Sequence, residues 1–404
     1  MNNWYLLAAI PVFGLLVLVH ELGHFLTAKW AGIRVEEFGL GLPPRVVGIR
    51  KRDSGGWEVI WFAGKRGEED PSTYLNKQTP FGGASGGVSV PGAVSDHTIY
   101  SLNLLPIGGF VRMPGESGDV YDEEGRYDPN SFAAKSAGKR IIVLCAGVTM
   151  NFLLAMVLFS VAYSLGEPTY PAIIGKVVPG TPAAQAGLRA DDTIVSANGH
   201  PVQLFMDVQD IVGQALANNK SHASSIPVQL VIKHAGSSQL VPTTVNARVN
   251  PPAGQGSMGV EEKIVYISSP VWQAPIKGVQ HTFVVTRDFI GGLVQIITGA
   301  QKAQFAGPVG IVKITGEVAQ SVPVFGWWPI LSLTAILSLN LMIINILPFP
   351  ALDGGRVVLI LIEILRGGKR LRPEREGLIN FVGMALLLTL MVVITISDVL
   401  HWGG

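Results

Sequence analysis

Two histidines and a glutamate, His20, Glu21 and His24, stand inside the apolar run "VFGLLVLVHELGHFLTAKW" at residues 12–30. Ionisable groups are costly in hydrocarbon, and their presence in a membrane-length run asks for a functional reason. On a helix, residues four apart share a face, so both imidazoles can reach one metal ion. Imidazole nitrogen suits zinc, and a catalytic zinc site keeps one position open for water. Glu21 flanks the pair and can serve as general base towards that water. The same five-letter pattern also arises by chance in soluble helices. Within an apolar span, three unpaired polar side chains are hard to retain without a metal.

A third ligand is needed, and the best candidate lies in "NILPFPALDGGRVV", residues 345–358. Asp353 is the lone carboxylate there. Pro348 and Pro350 cannot donate backbone hydrogen bonds and predict a helix break just before it. Irregular backbone at membrane depth is tolerated where it lines a cavity or is buried in protein. The alternative is that Asp353 only caps the turn made by Gly354 and Gly355. Depth offers an independent check. At ~1.5 Å per residue, His20 lies ~24 Å from Trp4 and Asp353 up to ~37 Å from Trp328, less where the prolines intervene. Both positions fall towards the cytoplasmic side of a hydrocarbon layer of ~30 Å.

The elements that must carry these residues are membrane spans. Hydrophobic residues make up 48% of the 404, charged residues only 15%, and the mean hydropathy is +0.39, which argues against a wholly soluble protein. Four apolar runs approach spanning length: Trp4–Ala28, Arg140–Leu165, Trp328–Leu347 and Leu378–Leu400. The loop after the first run is rich in Lys and Arg, and the loop "RGGKRLRPERE" between the last two holds five basic residues in eleven. Both loops lie on one side, and their bias marks it as the cytoplasm. Both termini and the long middle region then face outward. No cleavable leader is expected, because the apolar run continues straight into the His/Glu cluster.

The chain accordingly divides into a first span with the histidine pair (1–28), a cytosolic-side loop (29–139), a second span (140–166), an outward domain (167–255), a linker with an interfacial amphipathic helix (256–327), a third span carrying Asp353 (328–365), a basic cytosolic loop (366–377) and a fourth span with the tail (378–404). Within the first loop, three stretches have β-type patterning, and residues 64–97 are rich in Gly, Ser and Pro, as a flexible insertion would be. The formal net charge of +1 gives no reason to expect nucleic acid as a partner. A single cysteine, Cys145, excludes an internal disulfide framework and any cysteine-based zinc site. His97, His200, His222, His234, His281 and His401 lack metal-ligand spacing.

Over nearly its whole length the chain resembles the site-2 proteases, zinc metalloproteases that cut within membranes, and most of all the bacterial regulator-of-sigma-E-type branch. The resemblance rests on "HELGH", on "FGLG" and "LLPIGGFVRMPGE", on "KSAGKRIIVLCAGVTMNF" and on "NILPFPALDGGR". It implies a polytopic α-helical membrane protein with about four transmembrane helices in the bacterial inner membrane. It implies His20, His24 and Asp353 as ligands of one Zn2+ per chain, Glu21 as the catalytic glutamate, and Asn345, Pro348 and Pro350 as positions near the substrate. Residues 33–62 with 102–113 would form a cytosolic-side, membrane-associated β region that presents an extended substrate strand. The outward domain resembles a PDZ domain, an α+β fold, through "VVPGTPAAQAGL" and "DDTIVSANGHPV", and would take peptide termini. Two departures stand out: Asp191–Asp192 replaces the usual Gly-Asp, and Val148 replaces a common proline in the Gly147–Asn151 element. The implied activity is endopeptidase cleavage of single-span membrane proteins in or near their transmembrane segments, with anti-sigma factors and leftover signal peptides as substrate classes. Two other readings are a non-enzymatic scaffold, which has no use for Glu21, and a zinc transporter, which needs polar residues along a crossing path where the second and fourth spans offer almost none.

Overall fold

The computed structural model describes residues 3–52, 55–62, 97–116, 128–218, 223–252, 254–300, 307–371 and 373–400. The Gly/Ser-rich segment 64–97 therefore lies, but for its last residue, outside the described residues. The chain forms two compact units, one of Met1–Tyr163 with Val271–Gly404 and one of Ser164–Pro270.

In the first unit, a short 3-10 turn (Asn3–Ala8) leads into α1 (Ala9–Ala31). Gly32 ends α1 with φ +71°, a left-handed C-cap that glycine adopts without a Cβ penalty. The chain then enters β1 (Glu37–Lys51), β2 (Trp57–Trp61) and β3 (Ile99–Arg112), a three-stranded sheet of order β2-β1-β3. Both long strands bend. Residues 37–40 of β1 register the same way with 99–102, and the opposite way with 109–112. Residues 45–49 turn back to register with 100–103. Buried Glu37 pins this fold: Ser101 Oγ donates to it at 2.6 Å and Arg45 Nε at 3.1 Å.

The remaining helices of this unit are α2 (Ala137–Leu165), α5 (Ala274–Ile297), α6 (Pro308–Phe325), α7 (Trp328–Ile346), α8 (Asp353–Leu365) and α9 (Pro373–Leu400), with α3 (Pro182–Gln185) and α4 (Phe205–Ala217) belonging to the second unit. Among the described residues, four helices are long and apolar enough to cross a membrane: Tyr5–Ala31, Ala137–Leu165, Trp328–Ile346 and Arg375–Leu400. They are the elements of a polytopic membrane protein. Val148, Ala155 and Phe159 of α2 pack with Ala335, Leu339 and Ile343 of α7 in one buried cluster. Ala28 and Ala31 of α1, Val143 and Leu144 of α2, Val111 of β3, Met113 just after it and Ile360 of α8 form another. Asp398 on α9 accepts hydrogen bonds from Gly307 N (3.1 Å) and Gly310 N (2.8 Å), capping the start of α6 where backbone donors lack helical partners.

The break that Pro348 and Pro350 predict is present, so the span 328–365 is two helices rather than one: α7 stops at Ile346, Leu347 takes β-type dihedrals (φ −60°, ψ 143°), and α8 begins at Asp353. A residue before proline is pushed from the helical region, which is why Leu347 leaves it. Likewise, the stretch 256–327 carries two helices, α5 and α6, where one was expected.

The second unit holds a four-stranded antiparallel sheet of order β7-β6-β8-β9, made by β6 (Thr193–Ala197), β7 (His200–Pro201), β8 (Ser225–Lys233) and β9 (Leu240–Arg248). Strands β4 (Glu167–Thr169) and β5 (Ile174–Val177) pair with β11 (Val265–Ile267) and β10 (Val260–Glu262). Helices α3 (Pro182–Gln185) and α4 (Phe205–Ala217) complete it. Val228, Leu230 and Ile232 alternate inward along β8, the period-two signature of a half-buried strand. Asp191 adopts φ +69°, a conformation aspartate tolerates better than most residues. The unit runs past residue 255, since β10 and β11 return to its first two strands.

Candidate active site

His20 and His24 lie one turn apart on α1, both 7% exposed. Asp353 is the first residue of α8. The three approach as a triangle: His20 Nε2 to Asp353 Oδ2 is 3.2 Å, His24 Nε2 to Asp353 Oδ2 is 3.4 Å, and the two Nε2 atoms are 3.3 Å apart. A tetrahedral shell with metal–ligand bonds of about 2.0–2.1 Å has ligand–ligand edges of about 3.3 Å. The triangle therefore has the size of one face of such a shell. Asp353 Oδ2 is buried and has no hydrogen-bond partner, as expected of an oxygen aimed at a cation. On the far side of His24, Nδ1 is 2.8 Å from the carbonyl oxygen of Val143. That oxygen can only accept, so Nδ1 carries the proton and the neutral ring presents a lone pair at Nε2. Among the described residues, this is the one group of three His, Cys, Asp or Glu side chains able to hold a metal ion.

Local structure sets the triangle in place. Gly23, between the two histidines, lies where a Cβ would come within 2.5 Å of the Ala146 carbonyl oxygen of α2. Gly147 answers it: a Cβ there would lie 2.5 Å from His24 Nε2 and 2.9 Å from His20 Nε2. The two glycines let α1 and α2 cross with the histidines between them. On the carboxylate side, the chain between α7 and α8 is compressed. Ala351 holds φ +74°, a strained value for a residue with a Cβ. Gly354 and Gly355 sit so close to the carbonyls of Ile346, Leu347 and Phe349 that any side chain would overlap them. Strain and close packing together hold Asp353 at the head of α8.

A cavity of about 520 Å³ opens on this triangle. Its walls are His20, Glu21 and His24 of α1, Leu42 and Pro43 of β1, residues 109–113 at the end of β3, Glu116, and Ala351, Asp353 and Arg356. Arg356 donates to Glu116 and ties α8 to the segment after β3. Asn345 on α7 lies beside the triangle, its Nδ2 3.4 Å from His20 Nε2. Pro348 and Pro350 are not among the described residues that line the cavity. Pro350 instead abuts Gly383 of α9, too closely to admit a Cβ. The structure thus gathers His20, Glu21, His24, Asp353 and Asn345, and leaves the two prolines as breakers of the chain between α7 and α8.

A profile of Peptidase family M50 matches residues 8–64 and 87–390, which takes in every residue of the triangle. The chain belongs to this family, the site-2 proteases. Its relatives agree along their whole length. A zinc metalloprotease named RasP from Oceanobacillus iheyensis is 31% identical, covering 97% of this chain and 98% of its own. Another of that name from Geobacillus kaustophilus is 29% identical over 98% of this chain and 97% of its own. The regulator of sigma-W protease RasP of Bacillus subtilis is 27% identical over 97% of each. The M50 chain described here is thus an enzyme of the protease class, set in a membrane.

Sequence reasoning missed the contribution of α2. Val143, Gly147 and Asn151 contact the histidines in turn, the last through its amide nitrogen 3.2 Å from His20 Nδ1. Their spacing of four is itself a signal, because it puts them in one row on a helix.

Proposed function

We propose that this chain is a zinc-dependent intramembrane endopeptidase in which His20, His24 and Asp353 hold one Zn2+ and Glu21 is the catalytic base. The observation that carries it is the triangle of Nε2, Nε2 and Oδ2 with edges of 3.2–3.4 Å, opening on a cavity that Glu21 also lines. The names of the relatives favour zinc as the metal. When bound, zinc supplies a Lewis acid that polarises a peptide carbonyl and acidifies water. The Glu21 carboxylate takes a proton from the attacking water and delivers it to the amide nitrogen as the C–N bond breaks.

A transmembrane helix hides its peptide bonds in intrahelical hydrogen bonds, so a substrate must be extended before it is cut. Residues 109–112 of β3 line the cavity and, among the described residues, pair with β1 alone. Their free edge can accept an extended segment by strand addition. The Asn345 side chain is placed to hydrogen-bond that segment, while Pro348 and Pro350 serve it by keeping 347–352 non-helical. The substrates are single-span membrane proteins, such as anti-sigma factors or signal-peptide remnants. The Lys/Arg-rich loops 29–139 and 366–377 favour a site towards the cytoplasmic side of a bacterial inner membrane, with both termini outside. The unit Ser164–Pro270 is read as a PDZ-like, extracytoplasmic domain that binds peptide termini; its antiparallel sheet with two helices and its "VVPGTPAAQAGL" motif support this.

The test is metal analysis alongside cleavage. Wild-type protein should carry one zinc per chain, lost in His20→Ala and His24→Ala. Glu21→Gln should keep the zinc and lose cleavage of a membrane substrate. Cleavage by Glu21→Gln at the wild-type rate would refute the assignment of the base.

A further inference from the structure

Asn151 is fully buried in the middle of α2, where an amide needs a partner. Its backbone is fixed from the other side, since Ser338 Oγ of α7 donates to the Asn151 carbonyl oxygen at 2.8 Å. The side chain meets His20: Nδ2 is 3.2 Å from Nδ1, and Oδ1 has no partner. The nitrogen and oxygen of an amide exchange places by a half-turn about the last side-chain bond, so two arrangements fit the same atoms. If the amide donates, neutral His20 must carry its proton on Nε2. That N–H would point into the triangle with Asp353 and His24 and block a metal. If the amide oxygen accepts, Nδ1 carries the proton and Nε2 offers a lone pair beside Asp353 Oδ2. One amide atom is left unpartnered either way, so the imidazole decides between them. His24 is already held in the second state by the Val143 carbonyl.

We infer that Asn151 is a positioning residue for the metal centre: its amide oxygen accepts the Nδ1 proton of His20, fixing the tautomer and ring plane that leave Nε2 free to bind zinc. The Val143 carbonyl does the same for His24, so α2 supplies one acceptor to each ligand imidazole. This rests on the metal reading above and adds to it a residue outside the ligand set. Partners of this kind contribute about 10–100-fold to metal affinity.

Zinc affinity, measured by competition with a chromophoric chelator on purified full-length protein, tests the inference without reference to activity. Asn151→Leu, which removes the acceptor, should weaken zinc binding by about 10–100-fold. Asn151→Asp, whose ionised carboxylate can only accept, should bind zinc at least as tightly as wild type. Wild-type affinity in Asn151→Leu would overturn the inference, as would equal loss in Asn151→Asp and Asn151→Leu. Should either variant fail to fold, the zinc-free wild-type chain with 15N-labelled histidine decides the matter in neutral imidazoles. A protonated Nδ1 on His20 supports the inference, and a protonated Nε2 overturns it. His20→Ala is the control for the reading beneath: zinc bound by it as by wild type would remove the metal assignment itself, whereas its loss of zinc beside a normal Asn151→Leu would remove only the role of Asn151.

Discussion

At the scale of single residues, the roles of Asp353 and Asn345 separate by chemistry although both lie against His20. A carboxylate is a zinc ligand, while an amide is a poor one and a good hydrogen-bond partner. Asp353→Ala should therefore lower zinc content as well as activity, leaving two protein ligands where catalytic sites have three. Asn345→Ala should lower activity with zinc retained. Metal analysis of the two variants side by side decides, and equal zinc loss in both would overturn the division. His20, Glu21 and His24 could be picked out of the sequence because their relation is local: a spacing of four fixes the geometry before any tertiary fold exists. Asp353 needed the added clue of two prolines and a lone carboxylate in an apolar context. The contacts of α2 were not readable in the same way. Asn151 and His20 are 131 positions apart, and only the packing of two helices shows that they meet.

At the scale of elements, the α1–α2 crossing governs whether the triangle can form. A methyl group at Gly147 would fall 2.5 Å from His24 Nε2 and 2.7 Å from His20 Cε1, closer than real contacts allow. Gly147→Ala should therefore push the helices apart or displace the imidazoles, and zinc should be lost although no ligand has changed. Gly138→Ala, where nothing lies within 4 Å of the added carbon, is the control and should bind zinc normally. Zinc retention in Gly147→Ala equal to that of the control would contradict the crossing as described. Elements with a clear period, such as the apolar runs and β8, could be foreseen because period alone sets which face is buried. The break between α7 and α8 was only half legible. Pro348 and Pro350 announced it at the end of the apolar run Trp328–Leu347, while the restart of the helix at Asp353 had no comparable signal. Of the two helices in 256–327, the amphipathic α5 was foreseen and α6 was not.

At the scale of the whole molecule, the two units divide the labour in the function proposed here: the helical unit cuts, and the unit Ser164–Pro270 selects. Removing residues 167–270, so that β10 and β11 go with the strands they pair with, should leave zinc content unchanged and relax selectivity, so that substrates with untrimmed outer portions are cut as well as trimmed ones. Cleavage of full-length against pre-trimmed substrate, by the intact and the shortened enzyme, checks this, and an unchanged preference would exclude a selecting role. The most direct test of the account is where the cut falls. A single-span membrane protein reconstituted in lipid bilayers with the purified enzyme should yield fragments whose masses place the scissile bond inside the apolar segment. The fragments should vanish with a zinc chelator, and with Glu21→Gln, which still carries its zinc. Cleavage confined to the soluble parts of the substrate, or fragments that persist in Glu21→Gln, would contradict an intramembrane endopeptidase centred on His20, Glu21, His24 and Asp353.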